Sequence, residues 1–276
     1  MKQSNPQNFL DVATDLAKKA AAEIAKLLKT PTVQYQKADH SLCTEADLKS
    51  DELILTGLRQ NFPDHAILSE ETGLSGNPRS EFVWMVDPLD GTKAFAKGIP
   101  GFCVMVGLVK EDEPHLGVVV DPLEGHIYQG IRGQGAFHIQ KGRREALRVS
   151  SRRDFSQMPI ALSPNFPEEA LRKIQEELKG PLLEPIHSVG IKAGLLLRQI
   201  GDLYLNHHPV SYWDTCAPKI ILEEAGGLMT RWEGSALTYE LTPPYAHEGL
   251  TFASNGTRHL DVVEILTKIS LSQVAG

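Results

Sequence analysis

Phe82-Val83-Trp84-Met85-Val86-Asp87-Pro88-Leu89-Asp90-Gly91-Thr92 is the stretch on which the reading of the fold turns. Its first five residues form a continuous apolar run, too short for a helix and bounded by turn formers, which reads as a strand buried on both faces. That strand delivers Asp87 to its end. The proline that follows predicts a turn that reverses the backbone and lets Asp87 and Asp90 face one point. Glu70-Glu71 lie a short way upstream. Carboxylates this close repel one another unless cations neutralise them, and hard oxygen ligands of this kind suit magnesium or manganese, so a dinuclear magnesium site is expected. Taken alone, Asp-Pro-Leu-Asp-Gly reads as a plain turn; the surrounding acids favour the site.

Upstream, Val12, Leu16, Ala20, Ile24 and Leu27 recur at helical spacing, which predicts an amphipathic helix over 8–29 that stops before Pro31. A second helix is expected to begin near Thr44, with Asp47 three positions on in a capping box and Ile54, Leu55 and Leu58 on the buried side. Downstream, apolar runs at 104–109, 116–120, 126–131 and 136–139, separated by turn formers, predict an antiparallel meander. After a polar stretch at 141–157 the pattern alternates. It gives a strand at 158–162, a helix from Pro167, a strand at 182–187, a helix through Leu197 and a strand at 203–205. Two more helices, 214–225 and 257–270, flank strands near 228–231 and 250–253, and Asp214 taken alone reads as a helix N-cap. The chain is expected to form one compact unit with two lobes. An N-terminal α+β lobe, 1–150, carries most of the acids, and a C-terminal α/β lobe, 151–276, carries Asp214.

Composition narrows the function. A net charge of −7 without a basic stripe excludes a protein that tracks a nucleic-acid polymer. An anionic substrate must then be met by local positive charge, from side chains or bound cations. The three cysteines, Cys43, Cys103 and Cys216, have no paired spacing and read as small buried apolar residues in a reducing compartment. Met1 to Pro6 lead straight into a charged amphipathic segment, and no run of about 18 apolar residues occurs. These features predict a cytoplasmic protein that does not enter a membrane.

Four motifs then stand in order: Thr44-Glu45-Ala46-Asp47, Ser69-Glu70-Glu71, Trp84 through Thr92, and Trp213-Asp214 followed by Glu224-Ala225-Gly226-Gly227. In type, order and spacing they resemble the inositol monophosphatase superfamily of lithium-sensitive, magnesium-dependent phosphatases, which includes the 3'(2'),5'-bisphosphate nucleotidases. The resemblance implies a layered α/β/α/β sandwich with the site between the lobes. It implies that Glu70, Asp87 and the Leu89 carbonyl hold one magnesium, and that Asp87, Asp90 and Asp214 hold a second, with two or three ions per site and manganese able to substitute. Thr92 and Asp47 would form a relay that orients and deprotonates the attacking water, with Glu70 also at the catalytic centre, and the Gly91 and Thr92 amides would contact the phosphate. A haloacid-dehalogenase phosphatase also carries Asp-Gly-Thr, but its nucleophile stands two residues before the second aspartate, not three.

The substrate implied is a small soluble phosphate ester. Lys93 and Lys192 resemble the nucleotidases and point to 3'-phosphoadenosine 5'-phosphate, cleaved to AMP and phosphate, with Lys192 holding the second phosphate; otherwise Lys192 is an exposed helix lysine. Asn206 stands where nucleotidases have arginine and inositol monophosphatases glutamate, so it matches neither, and inositol 1-phosphate is the alternative substrate. His207 and His208 receive no role. The resemblance leaves a homodimer open. A relative that binds a phosphate or nucleotide without turnover is the alternative of another class, and the retention of every acid argues against it.

Overall fold

The computed structural model describes residues 5–30, 33–36 and 42–269. The expected stop at Pro31, the first residues of the chain and the final residue of the last expected helix lie outside them.

The apolar run at 82–86 is the spine of the larger sheet. It forms β5 (Phe82–Asp90), whose nine residues are all buried. The side chains of β5 alternate between two separate cores. Trp84 and Val86 join one with helices α1 (Pro6–Leu27) and α2 (Glu45–Asn61), while Val83 and Met85 join the other. Two short strands, β1 (Gln34–Gln36) and β2 (Leu42–Thr44), form a separate hairpin ahead of α2.

The meander falls beside β5 as β6 (Cys103–Lys110), β7 (Glu113–Val120), β8 (Ile127–Ile131) and β9 (Gly135–Gln140). A further strand, β10 (Arg143–Ala146), extends it into the polar stretch, where all four residues are exposed and give no apolar signal. On the other side of β5 lie β3 (Ala66–Ser69), which is parallel to it, and β4 (Gly73–Ser75). The eight strands run β10-β9-β8-β7-β6-β5-β3-β4. After Gly91 the chain makes one short helix, α3 (Thr92–Ala96).

The second sheet has the order β11-β12-β14-β13, from β11 (Ile160–Leu162), β12 (Leu203–Leu205), β13 (Leu228–Arg231) and β14 (Thr251–Ser254). On its outer side, α4 (Glu168–Leu178) and α7 (His259–Thr267) pack Ile174 and Val262 against Ile160 and Phe252. Between the two sheets lie α5 (Val189–Leu197) and α6 (Tyr212–Glu224). The result is the layered α/β sandwich of the sequence reading, with an additional outer pair of helices.

The close seating of α6 has a local cause. Gly107, Gly117 and Gly130 face one another across β6, β7 and β8 in register. A Cβ on Gly107 would meet Cys216 Sγ at 2.4 Å, one on Gly117 would meet the Ala217 carbonyl at 2.5 Å, and one on Gly130 would meet Ile221 Cα at 3.0 Å. This strip without side chains lets the helix backbone lie directly on the sheet.

Three sequence expectations change. The strand expected over 182–187 is reduced to a single bridge between Leu182 and Ile160, because Glu184-Pro185 interrupts the run and proline cannot donate to a ladder. The backbone does not reverse at Pro88: β5 continues through Asp90, with a register shift against β6 between Asp87 and Asp90. Asp214 is not the N-cap of α6. Ser211 is, and Asp214 is its capping-box partner at the third helical position.

Candidate active site

The register shift at Pro88 is what makes a site of β5. Residues three apart in a regular strand point to opposite faces. Here Asp87 pairs with Met105 and Asp90 with Cys103, so three steps on β5 match two on β6; the inserted residue is a bulge that returns both carboxylates to one side. Ser50 Oγ on α2 donates to the Pro88 carbonyl at 2.7 Å and holds the bulge.

Four acids line one cleft of about 270 Å³: Glu70, just beyond β3, Asp87 and Asp90 on β5, and Asp214 on α6. Leu89, Gly91 and Thr92 line it as well. Gly91 adopts a left-handed φ of 95°, and a Cβ there would lie 2.5 Å from the Gly101 carbonyl, so the turn into α3 requires glycine. A larger groove of about 540 Å³ lies between α1 and the β9–β10 edge, but its acids, Asp11 and Asp15, stand on one helix with Lys18 and Arg144 also on its walls. The chemistry belongs to the smaller cleft.

Each of the three cleft aspartates has one oxygen tied to the protein. Asp87 Oδ1 accepts from the Leu89 amide at 3.1 Å. Asp90 Oδ2 accepts from Ser188 Oγ at 2.6 Å and the Gly190 amide at 2.7 Å, both at the start of α5. Asp214 Oδ2 accepts from the Ser211 amide at 2.6 Å. Burial drives the Asp87 carboxyl far above the usual range, and the charges of Glu70, Asp90, Asp214 and Asp47 add to it. Asp214 is pushed up in the same way, by burial first and then by Asp90 and Glu70. Asp90 is raised less: burial acts on it too, but Ser188, Gly190 and the charge of Lys192 pull the other way.

Asp47 and Thr92 meet. The Thr92 hydroxyl is 2.9 Å from Asp47 Oδ1 and 3.1 Å from the Leu89 carbonyl, and its single proton can serve one of them at a time. Asp47 Oδ2 accepts from the Thr44 amide at 2.7 Å, one half of the capping box of α2, and from the Thr44 hydroxyl at 2.5 Å. Burial raises its carboxyl, while Thr44 and Thr92 lower it. One carboxylate therefore caps a helix and faces the cleft threonine.

Two expected substrate residues are placed elsewhere. Lys192 is wholly buried on α5, neither an exposed helix lysine nor part of the cleft wall. Asn206, beyond β12, is also wholly buried; its Nδ2 donates to Thr251 Oγ1 at 3.1 Å, and among the described residues its Oδ1 has no hydrogen-bond partner. Lys93 does line the cleft, with His187 and His208. His187 had no signal beyond its position at the end of a run that is not a strand. Ser188 and Gly190 likewise hold Asp90 from about 100 positions away, a contact no local pattern encodes.

The donor set suits a hard divalent cation: carboxylate oxygens from several elements and a backbone carbonyl, with no thiolate and one oxygen of each aspartate fixed in place. Among the described residues no three His, Cys, Asp or Glu side chains stand closed up as a metal site; the acids occupy the walls of an open cleft.

This fold, with an acid-lined cleft between its sheets, defines a metal-dependent phosphoric monoester hydrolase. The chain belongs to the inositol monophosphatase family, whose model matches residues 5–267. It is 30% identical over 275 residues to the inositol-1-monophosphatase of Synechocystis sp., covering 95% of this chain and 90% of that one. It is also 30% identical over 245 residues to the 3'(2'),5'-bisphosphate nucleotidase CysQ of Escherichia coli, covering 87% and 98%. Among solved structures, the inositol monophosphatase of Anabaena superposes with a TM-score of 0.77 at 28% identity, over 97% of this chain and 98% of that one. Family members act on small soluble phosphate esters and generally depend on a metal. No helix among the described residues is long and apolar enough to cross a membrane.

Proposed function

We propose that this protein is a magnesium-dependent phosphatase of small phosphate monoesters, with Glu70, Asp87, the Leu89 carbonyl, Asp90 and Asp214 holding the metal. The observation that carries this is the convergence of the four acids, from β3, β5 and α6, on the cleft that also contains Thr92. Bound magnesium supplies the positive charge that activates the attacking water and stabilises the leaving alkoxide. The chain's own residues position and move the proton. Thr92 Oγ accepts it from the water and passes its own to Asp47 Oδ1 across 2.9 Å. The capping bonds from Thr44 keep Asp47 aimed at Thr92 throughout.

For the substrate we propose a bisphosphorylated nucleotide of the 3'-phosphoadenosine 5'-phosphate type. Lys93 on the cleft wall offers a cation to a second phosphate. Burial and the nearby charges of Lys97, Lys93 and Lys192 lower the His187 imidazole from its usual range, and its ring on the cleft wall supports an aromatic contact to a base. A second reading, inositol 1-phosphate, is favoured by one observation: among the described residues Lys93 is the sole lysine or arginine on the cleft wall, which suits a single phosphate. The buried thiols of Cys43, Cys103 and Cys216 support a reducing, cytoplasmic setting.

The test is a phosphate-release panel of both substrates with magnesium, with manganese and with excess chelator. The expected result is metal-dependent release with the higher kcat/KM on the bisphosphate. Full release in chelator overturns the metal reading, and a higher kcat/KM on inositol 1-phosphate selects the second substrate.

A further inference from the structure

The buried face of α2 changes character along its length. Ile54, Leu55 and Leu58 are apolar, as a helix packed on a sheet requires, but one turn earlier the same face carries Asp47, Ser50 and Asp51, all buried. A buried carboxylate or hydroxyl is costly unless a hydrogen bond answers it. Each of the three is answered at a different segment of the cleft. Asp47 meets Thr92 at the start of α3, Ser50 donates to the Pro88 carbonyl in the bulge, and Asp51 Oδ1 accepts from the hydroxyl of Ser69, the last residue of β3. The first two contacts serve the proton relay and the bulge. The third reaches the one remaining segment, the turn that carries Glu70.

Ser69 is wholly buried and immediately precedes Glu70. Its Oγ donates its proton to Asp51 and accepts from the Glu71 amide at 3.3 Å, while the Glu70 amide donates to the Val86 carbonyl at 3.1 Å. The backbone around Glu70 is thereby pinned on one side to β5, just ahead of Asp87, and on the other through the Ser69 hydroxyl to α2. A glutamate reaches its carboxylate through several rotatable bonds, so the place where that carboxylate falls depends on where the backbone is held. Glu70 lines the cleft; neither Ser69 nor Asp51 does.

We propose that Asp51 and Ser69 are a positioning pair for metal binding: Asp51 anchors the Ser69 hydroxyl, the hydroxyl fixes the turn, and the turn presents Glu70 beside Asp87. The pair acts through its hydrogen bond and not through the charge of Asp51. The proposal rests on reading the cleft as a magnesium site.

The experiment follows the melting temperature of the protein against magnesium chloride concentration, without substrate, so that affinity is read separately from stability in chelator. Asp51→Ala and Ser69→Ala are each expected to weaken magnesium binding roughly three- to thirtyfold, less than the loss of a partner bonded to a ligand's own carboxylate, because the pair acts on the backbone. Asp51→Asn removes the same charge but keeps an oxygen for the Ser69 hydroxyl, and it should bind magnesium within about twofold of the wild type. The double alanine variant should bind no more weakly than Ser69→Ala, since both changes break one bond. A lower melting temperature in chelator with unchanged magnesium affinity in both alanine variants makes the pair merely structural and overturns the role. Equal weakening by Asp51→Asn and Asp51→Ala overturns it too, because charge would then be the cause, and so do fully additive losses in the double variant. If Asp51→Ala fails to fold, Ser69→Ala decides, and unchanged affinity there overturns the role. Absence of magnesium binding by the wild type overturns the cleft reading and this inference together, whereas normal wild-type binding with unaltered variants overturns this inference alone.

Discussion

Asp202 and Asp87 are both buried, yet their surroundings are opposite. Asp202, just ahead of β12, is fully enclosed and fully answered: Arg152 Nη1 donates at 2.7 Å, Asn255 Nδ2 at 2.9 Å, and the Ser150 hydroxyl completes the set. The same Asn255 side chain also donates to the Arg152 carbonyl, so the network locks the 150–152 segment against the start of β12 and the end of β14. Asp87 accepts one backbone bond and otherwise faces acids. A buried carboxylate given donors and a guanidinium is structure; one packed among like charges is held there by the fold for a cation to be supplied.

The widest gap between the two centres is expected in activity. Asp87→Asn should lower kcat by at least roughly a hundredfold, since it removes the whole negative charge of one carboxylate proposed to hold the metal. The same substitution should raise the melting temperature in excess chelator. Its sign with pH follows from the raised carboxyl. A carboxylate whose folded pKa lies above its unfolded value weighs against the fold at alkaline pH, and the penalty disappears as pH falls through the folded value. The advantage of Asp87→Asn in chelator should thus be larger at neutral pH than near the unfolded carboxyl value of about 4. An equal advantage at both would mean Asp87 is not under repulsion.

Asp202→Ala should do the reverse. Removing it strands Arg152, whose side chain is 37% exposed and partly solvated, so a stability loss of about 2–4 kcal/mol is expected, with kcat per folded molecule unchanged. Denaturant titration beside a phosphate-release assay checks both, and a large fall in kcat would erase the distinction between the two centres.

Thr92→Ala sharpens the cleft side. Losing the hydroxyl between water and Asp47 should reduce kcat roughly ten- to a hundredfold while the magnesium dependence of the melting temperature stays as in the wild type. Unchanged kcat would remove the relay and leave Asp47 as a helix cap.

The effect that is smallest at neutral pH concerns a third buried centre that belongs to structure. His247 Nε2 lies 2.7 Å from the Thr215 hydroxyl, and burial drives its imidazole down to about 3. A histidine with a depressed folded pKa stays neutral in the fold while the unfolded chain takes up a proton below about 6.5. Stability is therefore lost as pH falls from about 6.5 toward 3, at about 1.4 kcal/mol per pH unit from this group. His247→Gln should flatten that part of the profile. A slope equal to that of the wild type would show that His247 does not carry it.

Much of this molecule was legible in the chain because the signals are periodic or local. An apolar run short enough to be a strand, alternation at 104–139 and helical spacing ahead of Pro31 follow from side-chain direction alone. The capping box at Thr44 and Asp47 appears as read, because it is written within four residues. Exposed strands such as β10, and short ones such as β3 and β4, carry too little pattern to be seen. The run at 182–187 misled because apolar content outweighed the proline that breaks its ladder.

The sequence by itself determined which residues could form a cation site: the acids at 70, 87, 90 and 214, with Thr92 and Asp47 in order, since residue type and spacing are covalent facts. Tertiary structure alone decided how they meet. The bulge at Pro88 turns Asp87 and Asp90 to one side, where regular pleating would have opposed them. The glycine strip across β6, β7 and β8 seats α6 directly on the sheet and carries Asp214 to the cleft. Burial of Lys192 on α5 takes away from the cleft wall a charge that the family resemblance had assigned to the substrate. Those outcomes depend on distances between elements tens to hundreds of positions apart, set by which backbones can approach closely, and local pattern carries no record of that.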